Sequence, residues 1–254
     1  MNNINSSIKQ LKDLSVNIGT NNRFIQDSGG NTSFKSGNKM WVKASGKQLK
    51  DANKENIFVC LENKEKHNCL IDKDLNSIQL KQIGLNPLKS SIETLLHAIM
   101  PYGFVIHSHP LDVIRETVII DNYENISKLM FGYKWTIVDY KKPGKQLANE
   151  VFNKIKNRDI DVVLLSNHGL IVGGNKAIEV LKKHNAIIKR FFRKGREEKK
   201  IDFKKLTEIQ SLLIKKTCIN WRLPRFELIH SLATDDSSFN LAKMNPLYPD
   251  HIVF

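Results

Sequence analysis

Three histidines and one glutamate have the side chains that bind divalent metal ions. His107 and His109 flank Ser108 at the end of an apolar run, and His168 follows a second apolar run. A strand repeats its side-chain direction every two residues, so we expect His107 and His109 to point to one face. With Glu93, a third imidazole would complete a four-ligand shell of the kind that holds zinc. Judged by spacing alone, the alternative of ordinary core or surface histidines stays open.

Local patterns predict the elements that must position these residues. An apolar spacing of three and four residues predicts helices, and short β-branched or alternating runs predict strands. The predicted helices are 4–18, 92–100, 143–156, one from 175 onward and 206–221, and the predicted strands are 31–34, 40–43, 56–61, 103–109 and 161–165. Ser36-Gly37-Asn38 predicts a hairpin between the first two strands. Because strands and helices interleave, the sequence predicts an α/β or α+β fold with helices covering a sheet.

Composition narrows the class of protein. The chain has 254 residues, of which 41% are hydrophobic and 26% charged, a balance that excludes wholesale disorder. No repeat or linker divides it, so we expect one domain over residues 1–254. The sequence has neither an apolar run long enough to span a membrane nor a secretion signal, which predicts a soluble, cytoplasmic protein. The three cysteines, Cys60, Cys69 and Cys218, predict no disulfide framework in a reducing compartment.

The net charge of +14 raises the question of nucleic-acid or membrane binding. The positive charge is most concentrated between Lys189 and Lys205, where the sequence has nine basic and three acidic residues. No helix-turn-helix, zinc-finger or aromatic RNA-binding motif accompanies this segment, so we interpret it as a solvated helix end and predict neither nucleic acid nor membrane as a partner.

Six short motifs occur in a fixed order that is specific when taken together. They are Gly29-Gly30-Asn31-Thr32-Ser33, Val42-Lys43-Ala44-Ser45-Gly46, Ser91-Ile92-Glu93-Thr94-Leu95-Leu96-His97, His107-Ser108-His109-Pro110, Pro143-Gly144 and Asn167-His168-Gly169-Leu170. In this order the chain resembles the class II aldolase/adducin head-domain family over residues 5–254. The nearest likeness is the aldolase part of bifunctional rhamnulose-1-phosphate aldolase/dehydrogenases.

The resemblance implies a fold, an activity and an assembly. Members of the family have a three-layer αβα sandwich with a largely antiparallel central sheet, and they are usually homotetramers. The implied activity is a lyase of carbohydrate metabolism: an aldolase that cleaves a ketose or ketose phosphate through a metal-bound enediolate. The implied metal is Zn²⁺, with Mn²⁺ or Co²⁺ as alternatives.

The resemblance also assigns residues. His107, His109 and His168 match the metal-binding histidines, and Glu93 matches a glutamate that ligates the metal and acts as general acid/base. The residues that match the substrate and phosphate pocket are Gly30, Asn31, Ser45, Gly46 and Ser91. Tyr248 and His251 lie in a tail that resembles the Pro-Asp-His ending of these enzymes; they are candidates for a contribution to a neighbouring subunit's site, although a surface tail is the default.

The residue types suit this chemistry. A bound metal stabilises negative charge on the substrate as a Lewis acid, and Glu93 would exchange a proton with the carbon next to the carbonyl. Lys43, Lys47 and Lys89 would add charge near the phosphate, unless they are ordinary solvated lysines. The catalytic tyrosine of related aldolases is assigned to neither Tyr123 nor Tyr133, and His97 and Asp112 are expected in supporting roles.

Two departures from the family pattern affect the prediction. Ile92 stands where simpler members have a serine, so one hydroxyl that would contact phosphate is missing unless Ser90 supplies it. No Gly-x-Gly-x-x-Gly follows a strand, so we expect no NAD.

Alternative functions stay open at this point. A sugar-phosphate 4-epimerase or a dehydratase would use the same metal site, and a non-catalytic, adducin-like binding module would keep the fold while losing the metal ligands. The sequence does not name the sugar, its phosphorylation or the metal.

Overall fold

A computed structural model describes residues 2–63, 75, 78, 80–194, 201–223 and 236–244. The predictions for Cys69, Tyr248 and His251 fall outside these residues. The chain divides into two compact units, Met1–Phe192 and Arg193–Phe254. The expectation of a single domain over residues 1–254 stays a prediction.

Seven strands of the first unit form one sheet, in the order β3-β2-β1-β4-β7-β6-β5. They are β1 (Asn31–Ser36), β2 (Lys39–Lys43), β3 (Phe58–Glu62), β4 (Phe104–Ser108), β5 (Trp135–Val138), β6 (Val162–Leu165) and β7 (Gly169–Gly174). All neighbouring pairs are antiparallel except β5 with β6. β4 is therefore the middle strand, paired with β1 on one side and with β7 on the other.

Helices cover both faces of this sheet. They are α1 (Asn2–Gly19), α2 (Thr94–Ile99), α3 (Leu111–Thr117), α4 (Tyr123–Leu129), α5 (Lys145–Ile155) and α6 (Ala177–Phe191), with a 3₁₀ turn at Leu49–Asp51. One core packs α1, α3, α4 and α6 against the sheet, and a second core packs α2 and α5 against it. The three-layer α/β architecture with a largely antiparallel sheet is the one that the sequence analysis predicted.

Amphipathic and β-branched patterns placed most of these elements correctly. The hairpin of β1 and β2 is confirmed, with Ser36 paired to Lys39 across the turn. The sequence analysis missed β5, β7, α3 and α4. β7 contains three glycines, which are depleted in strands, and it forms because β4 and β6 pair with it on both sides.

The second unit contains α7 (Phe203–Thr217) and α8 (Asp236–Met244) among its described residues. α7 begins three residues before the predicted start at Leu206, because the side chain of Asp202 accepts a hydrogen bond from the Lys205 N–H and caps the helix. Throughout the described part of the chain, each helix is too short or too polar to cross a membrane.

Candidate metal centre

His107 and His109 lie side by side where the middle strand ends. The extended backbone of β4 points both imidazoles to one face, and their Nε2 atoms are 3.0 Å apart. The His109 N–H, just after the strand, donates a hydrogen bond to the Phe24 carbonyl at 2.9 Å. Both side chains are buried. The alternation rule therefore predicted this pair correctly.

His168 reaches the same place from a tight turn between β6 and β7. Asn167 has a left-handed backbone with φ 50°, which asparagine tolerates better than most residues. The turn closes with the His168 N–H donating to Leu165 O at 3.1 Å. Because β7 pairs with β4, this turn lies next to the end of β4. A side chain at Gly169 would overlap the Ser108 carbonyl oxygen, so the strands approach this closely only with glycine there.

Glu93 enters from the helical layer. It is the residue that precedes α2, and its side chain does not cap that helix. Instead, its carboxylate points at the histidines, with Oε1 3.0 Å from His168 Nε2 and Oε2 3.4 Å from His107 Nε2. Asn31 Nδ2 donates to Oε2 at 3.2 Å. The structure thus brings together Glu93 and the three predicted histidines.

The donor set fits a divalent metal ion. One ligand atom from each of Glu93, His107, His109 and His168 lies within 4.8 Å of the others, and all four residues are buried. Ligands of a tetrahedral zinc site are roughly 3.3 Å apart when the bonds are about 2.0–2.1 Å long. The two carboxylate–imidazole distances of 3.0 and 3.4 Å are close to that spacing.

Electrostatics keep the Glu93 carboxylate and the His168 imidazole in the protonation states that bind metal. Burial would raise the pKa of Glu93, but the neighbouring His107 and His168 hold it well below its usual range, so the carboxylate is charged. Burial lowers the pKa of His168 to about 4, so this imidazole is neutral. His107 Nδ1 lies 3.3 Å from Leu170 O. If Nδ1 donates to that carbonyl, the Nε2 lone pair faces the cluster.

A further buried contact supports β4 from the opposite face. Ser108 alternates away from the two histidines, and its hydroxyl is 2.8 Å from His184 Nε2 on α6. The rings of Phe24 and His184 pack edge to face. The sequence analysis predicted a helix from residue 175 onward and gave His184 no role. The sequence does contain a clue to this contact. Because side chains alternate along a strand, the side chain of Ser108 must point to the face opposite His107 and His109, where it needs a polar partner.

Three of the predicted pocket residues, Gly30, Asn31 and Ser91, lie next to Glu93 or His107. Gly30 has φ 62°, and a Cβ there would lie 2.8 Å from His107 O. The Ser91 hydroxyl accepts a hydrogen bond from the Glu93 N–H at 3.3 Å. The Ser45 N–H donates to Lys89 O at 2.8 Å, which joins the turn containing Gly46 to the segment before Glu93. Their predicted role in substrate binding stays a prediction.

Lys43 is not a solvated lysine. Its side chain is buried, and Nζ donates to Ser28 O at 2.6 Å and to Lys47 O at 2.7 Å. It therefore joins the loop before Gly30 to the turn after β2. Lys47 forms an ion pair with Glu55 at 2.7 Å. Ile92 is 74% exposed, directly beside the buried Glu93.

Other candidate residues have structural contacts. Tyr123 packs on Trp135, and Arg190 lies over the Tyr133 ring. Asp112 is buried and bound by Arg23, with Nη2 2.8 Å from Oδ2. His97 is buried in α2, where Nδ1 is 2.8 Å from the Ser33 hydroxyl, in agreement with the expected supporting role.

Comparison with known proteins identifies relatives of this chain. A family model described as Class II Aldolase and Adducin N-terminal domain matches residues 16–190. A protein of Bacillus subtilis named uncharacterized oxidoreductase YuxG is 30% identical over 187 residues, which is 67% of this chain and 27% of that protein. The chain therefore spans about a quarter of the length of this curated relative.

Two solved structures share the fold. The N-terminal class II aldolase domain of a conserved protein from Thermoplasma acidophilum is 29% identical, with a TM-score of 0.61 over 72% of this chain and 91% of that one. A sugar-phosphate aldolase from Thermotoga maritima is 14% identical, with a TM-score of 0.58 over 87% of this chain and 99% of that one.

Proposed function

Because the chain belongs to the Class II Aldolase and Adducin N-terminal domain family, we propose that it is a metal-dependent aldolase that cleaves a ketose or ketose phosphate. The observation that carries the proposal is the buried group of Glu93, His107, His109 and His168, whose ligand atoms lie within 4.8 Å of one another. A non-catalytic binding module has no need of three buried imidazoles around a charged carboxylate. Burying such groups is costly unless they have partners.

The bound metal ion would supply Lewis-acid stabilisation of the negative charge that develops on the substrate during bond cleavage. His107, His109 and His168 would hold this ion. The donor set supports Zn²⁺, with Mn²⁺ or Co²⁺ as alternatives, since three imidazoles and one carboxylate suit these metals, whereas Mg²⁺ and Ca²⁺ prefer oxygen ligands.

Glu93 would transfer the proton. In the direction that forms the carbon–carbon bond, its carboxylate takes a proton from the carbon next to the substrate carbonyl. In the cleavage direction, the protonated side chain returns that proton to the same carbon.

The substrate would be a sugar or sugar phosphate whose anionic or polar end lies beside Gly30, Ser45, Gly46 and Ser91. The protein of similar fold from Thermotoga maritima is a sugar-phosphate aldolase, which supports this class of substrate. Exposed Ile92 lacks the hydroxyl that would bind a phosphate oxygen, so unphosphorylated ketoses belong in the same test. Likeness to the aldolase part of rhamnulose-1-phosphate enzymes makes deoxyketose phosphates the first compounds to try.

We also propose a cytoplasmic homo-oligomer, with a tetramer as the expected state and Tyr248 and His251 as candidates for contact with a neighbouring subunit's site. Light scattering coupled to size-exclusion chromatography would measure the assembly directly. A monomeric mass at micromolar concentration would contradict it.

The activity is tested on the purified full chain. Its metal content is measured after reconstitution with Zn²⁺, Mn²⁺ or Co²⁺, and aldehyde release is then assayed with a panel of ketose 1-phosphates, ketose 5-phosphates and unphosphorylated ketoses. We expect about one metal ion per chain and aldehyde release from at least one ketose. Glu93→Gln should lower that rate by about 10²- to 10⁴-fold, because a general acid/base contributes about that much.

Glu124→Gln is the matched control, since Glu124 is 83% exposed and pairs with Lys128 on the surface; it should keep the wild-type rate. His107→Ala should lose both metal and activity. Epimerisation at C4 or loss of water without aldehyde release would identify the epimerase or dehydratase instead. Less than about half a metal ion per chain after reconstitution, or full aldehyde release by His107→Ala, would contradict the proposal.

A further inference from the structure

Three residues of β1 that share one face contact α2 along its length. Asn31 Nδ2 donates to the Glu93 carboxylate at 3.2 Å, and the Ser33 hydroxyl is 2.8 Å from His97 Nδ1. Lys35 Nζ donates to His97 O at 2.7 Å and also to Met100 O. We call these contacts of Asn31, Ser33 and Lys35 the β1–α2 ladder.

The two elements have matching repeats. Same-face residues of a strand are about 6.6 Å apart, and residues four apart in a helix rise by about 6 Å. Successive strand residues therefore meet successive turns of the helix, with α2 and β1 running in the same direction. A shift of α2 by one turn would break all three contacts together. The ladder therefore fixes the position of α2 along the length of β1.

α2 depends on such support because it is short. It has six residues, fewer than the roughly 12–15 that an isolated helix needs for stability in water. The carbonyls in its last turn have no partners within the helix, and a cation there is favourable. Lys35 binds two carbonyls at this end. Burial lowers the pKa of Lys35 to about 7, as expected for an ammonium group withdrawn from water.

The middle contact is fully buried. Ser33 and His97 are both 0% exposed, so their hydrogen bond is made away from water. An unsatisfied buried polar group costs about 1–3 kcal/mol, which makes a shifted helix unfavourable. Burial also lowers the pKa of His97 to about 3, so the imidazole is neutral and adds no positive charge beside Glu93.

We propose that Ser33 and Lys35 are positioning residues for Glu93: through the β1–α2 ladder they set the register of α2 on β1 and so hold the Glu93 carboxylate against the three histidines. This inference rests on the proposed function in so far as Glu93 ligates the metal. Neither residue would touch the substrate or the metal, and both would act through the helix.

Co²⁺ alone is the probe, because its visible spectrum reports the number and geometry of its ligands without a substrate. Apoprotein is titrated with Co²⁺ in the wild type, Glu93→Gln, Lys35→Met and Lys39→Met. We expect Lys35→Met to bind Co²⁺ about 10- to 100-fold more weakly, the range seen when a partner of a metal ligand is removed. Its spectrum should shift towards that of Glu93→Gln. Lys39 is exposed on the adjacent strand, and Lys39→Met should match the wild type.

Circular dichroism shows whether each variant is folded. If Lys35→Met does not fold, Ser33→Ala is the test variant, and it should show the same direction of shift in spectrum and affinity. A folded Lys35→Met or Ser33→Ala with wild-type spectrum and affinity would overturn the inference while leaving the proposed function standing. A wild-type chain that binds no Co²⁺ would overturn the proposed function, and the inference with it. Glu93→Gln with an unchanged spectrum and affinity would overturn the inference alone.

Discussion

The four residues of the candidate metal centre are far apart in sequence and come together only in the folded chain. Glu93 and His168 are 75 positions apart in sequence, yet their side chains approach to 3.0 Å. Asn31, expected beside a substrate phosphate, donates its amide to Glu93 instead. One side chain thereby orients the proposed base. The amide oxygen of Asn31 lies buried with no hydrogen-bond partner among the described residues, so it is a candidate contact for a substrate hydroxyl.

His184 gives a prediction at the same scale. Burial lowers its pKa to about 4, with partial compensation from Asn185, whereas an unfolded histidine has a pKa near 6.5. As pH falls from 6.5 to 4, the unfolded chain takes up the proton first, so the free energy of unfolding falls. This residue should account for about 2 kcal/mol between pH 7 and pH 5.

The measurement compares urea unfolding of wild type and His184→Gln across that pH range, both without added metal. We expect the variant's curve to be flatter by about 2 kcal/mol. Because the other histidines are present in both proteins, they cancel in the difference. Parallel curves would contradict the assignment.

At the scale of elements, close backbone approach decides where the site can form. β1 and β4 pair with Asn31 opposite His107, and Gly30 precedes that pair. Gly30 and Gly37 both have left-handed backbones, with φ 62° and 56°. They differ in surroundings, since a Cβ at Gly30 would meet His107 O at 2.8 Å and one at Gly37 would meet nothing within 4 Å. A substitution at Gly37 therefore introduces backbone strain alone, whereas one at Gly30 introduces both strain and steric crowding.

Alanine at each position tests that separation. Gly37→Ala should cost about 1–2 kcal/mol, the strain of a left-handed alanine. Gly30→Ala should cost roughly 1–3 kcal/mol more, because it also crowds a packed region. It should weaken metal binding too, since it displaces the strand that carries His107. Urea unfolding and metal titration measure both effects, and equal costs for the two variants would contradict the packing argument.

At the scale of the first unit, the site lies where both halves of the sheet meet. The middle strand β4 carries His107 and is followed by His109, while the start of α2 and the β6–β7 turn supply the other groups. A metal held by groups from three separate elements would bind the folded chain far more tightly than the unfolded one. Binding should therefore stabilise the fold by mass action.

Removal of the metal tests this coupling. With Zn²⁺ at about 1,000 times its dissociation constant, the free energy of unfolding should rise by about 4 kcal/mol over that of the chelator-treated protein. Mg²⁺ is the control ion, because it prefers oxygen ligands and should have little effect. Thermal unfolding with and without each ion gives the comparison. An unfolding midpoint unaffected by Zn²⁺ would contradict a resident metal.

The sequence by itself determined the kinds of residue and the elements that carry them. The His-x-His alternation, the apolar runs, the helix before β1 and the hairpin all follow from local repeats of two or 3.6 residues. The ordered motifs also carried the family resemblance, which the family model matches over residues 16–190. These properties depend on residues that are close together in the chain, so the sequence alone is enough to predict them.

Only the tertiary structure decided the rest. β7 contains three glycines and becomes a strand because β4 and β6 pair with it, and that pairing brings His168 beside His109. The sequence left Lys43 open between a phosphate contact and a solvated lysine, and the structure shows its ammonium group bound to the carbonyls of Ser28 and Lys47. The contacts of Lys35 with α2 join residues that are more than 60 positions apart in sequence. Such contacts depend on packing between elements far apart in sequence, and no local repeat encodes the distance between them.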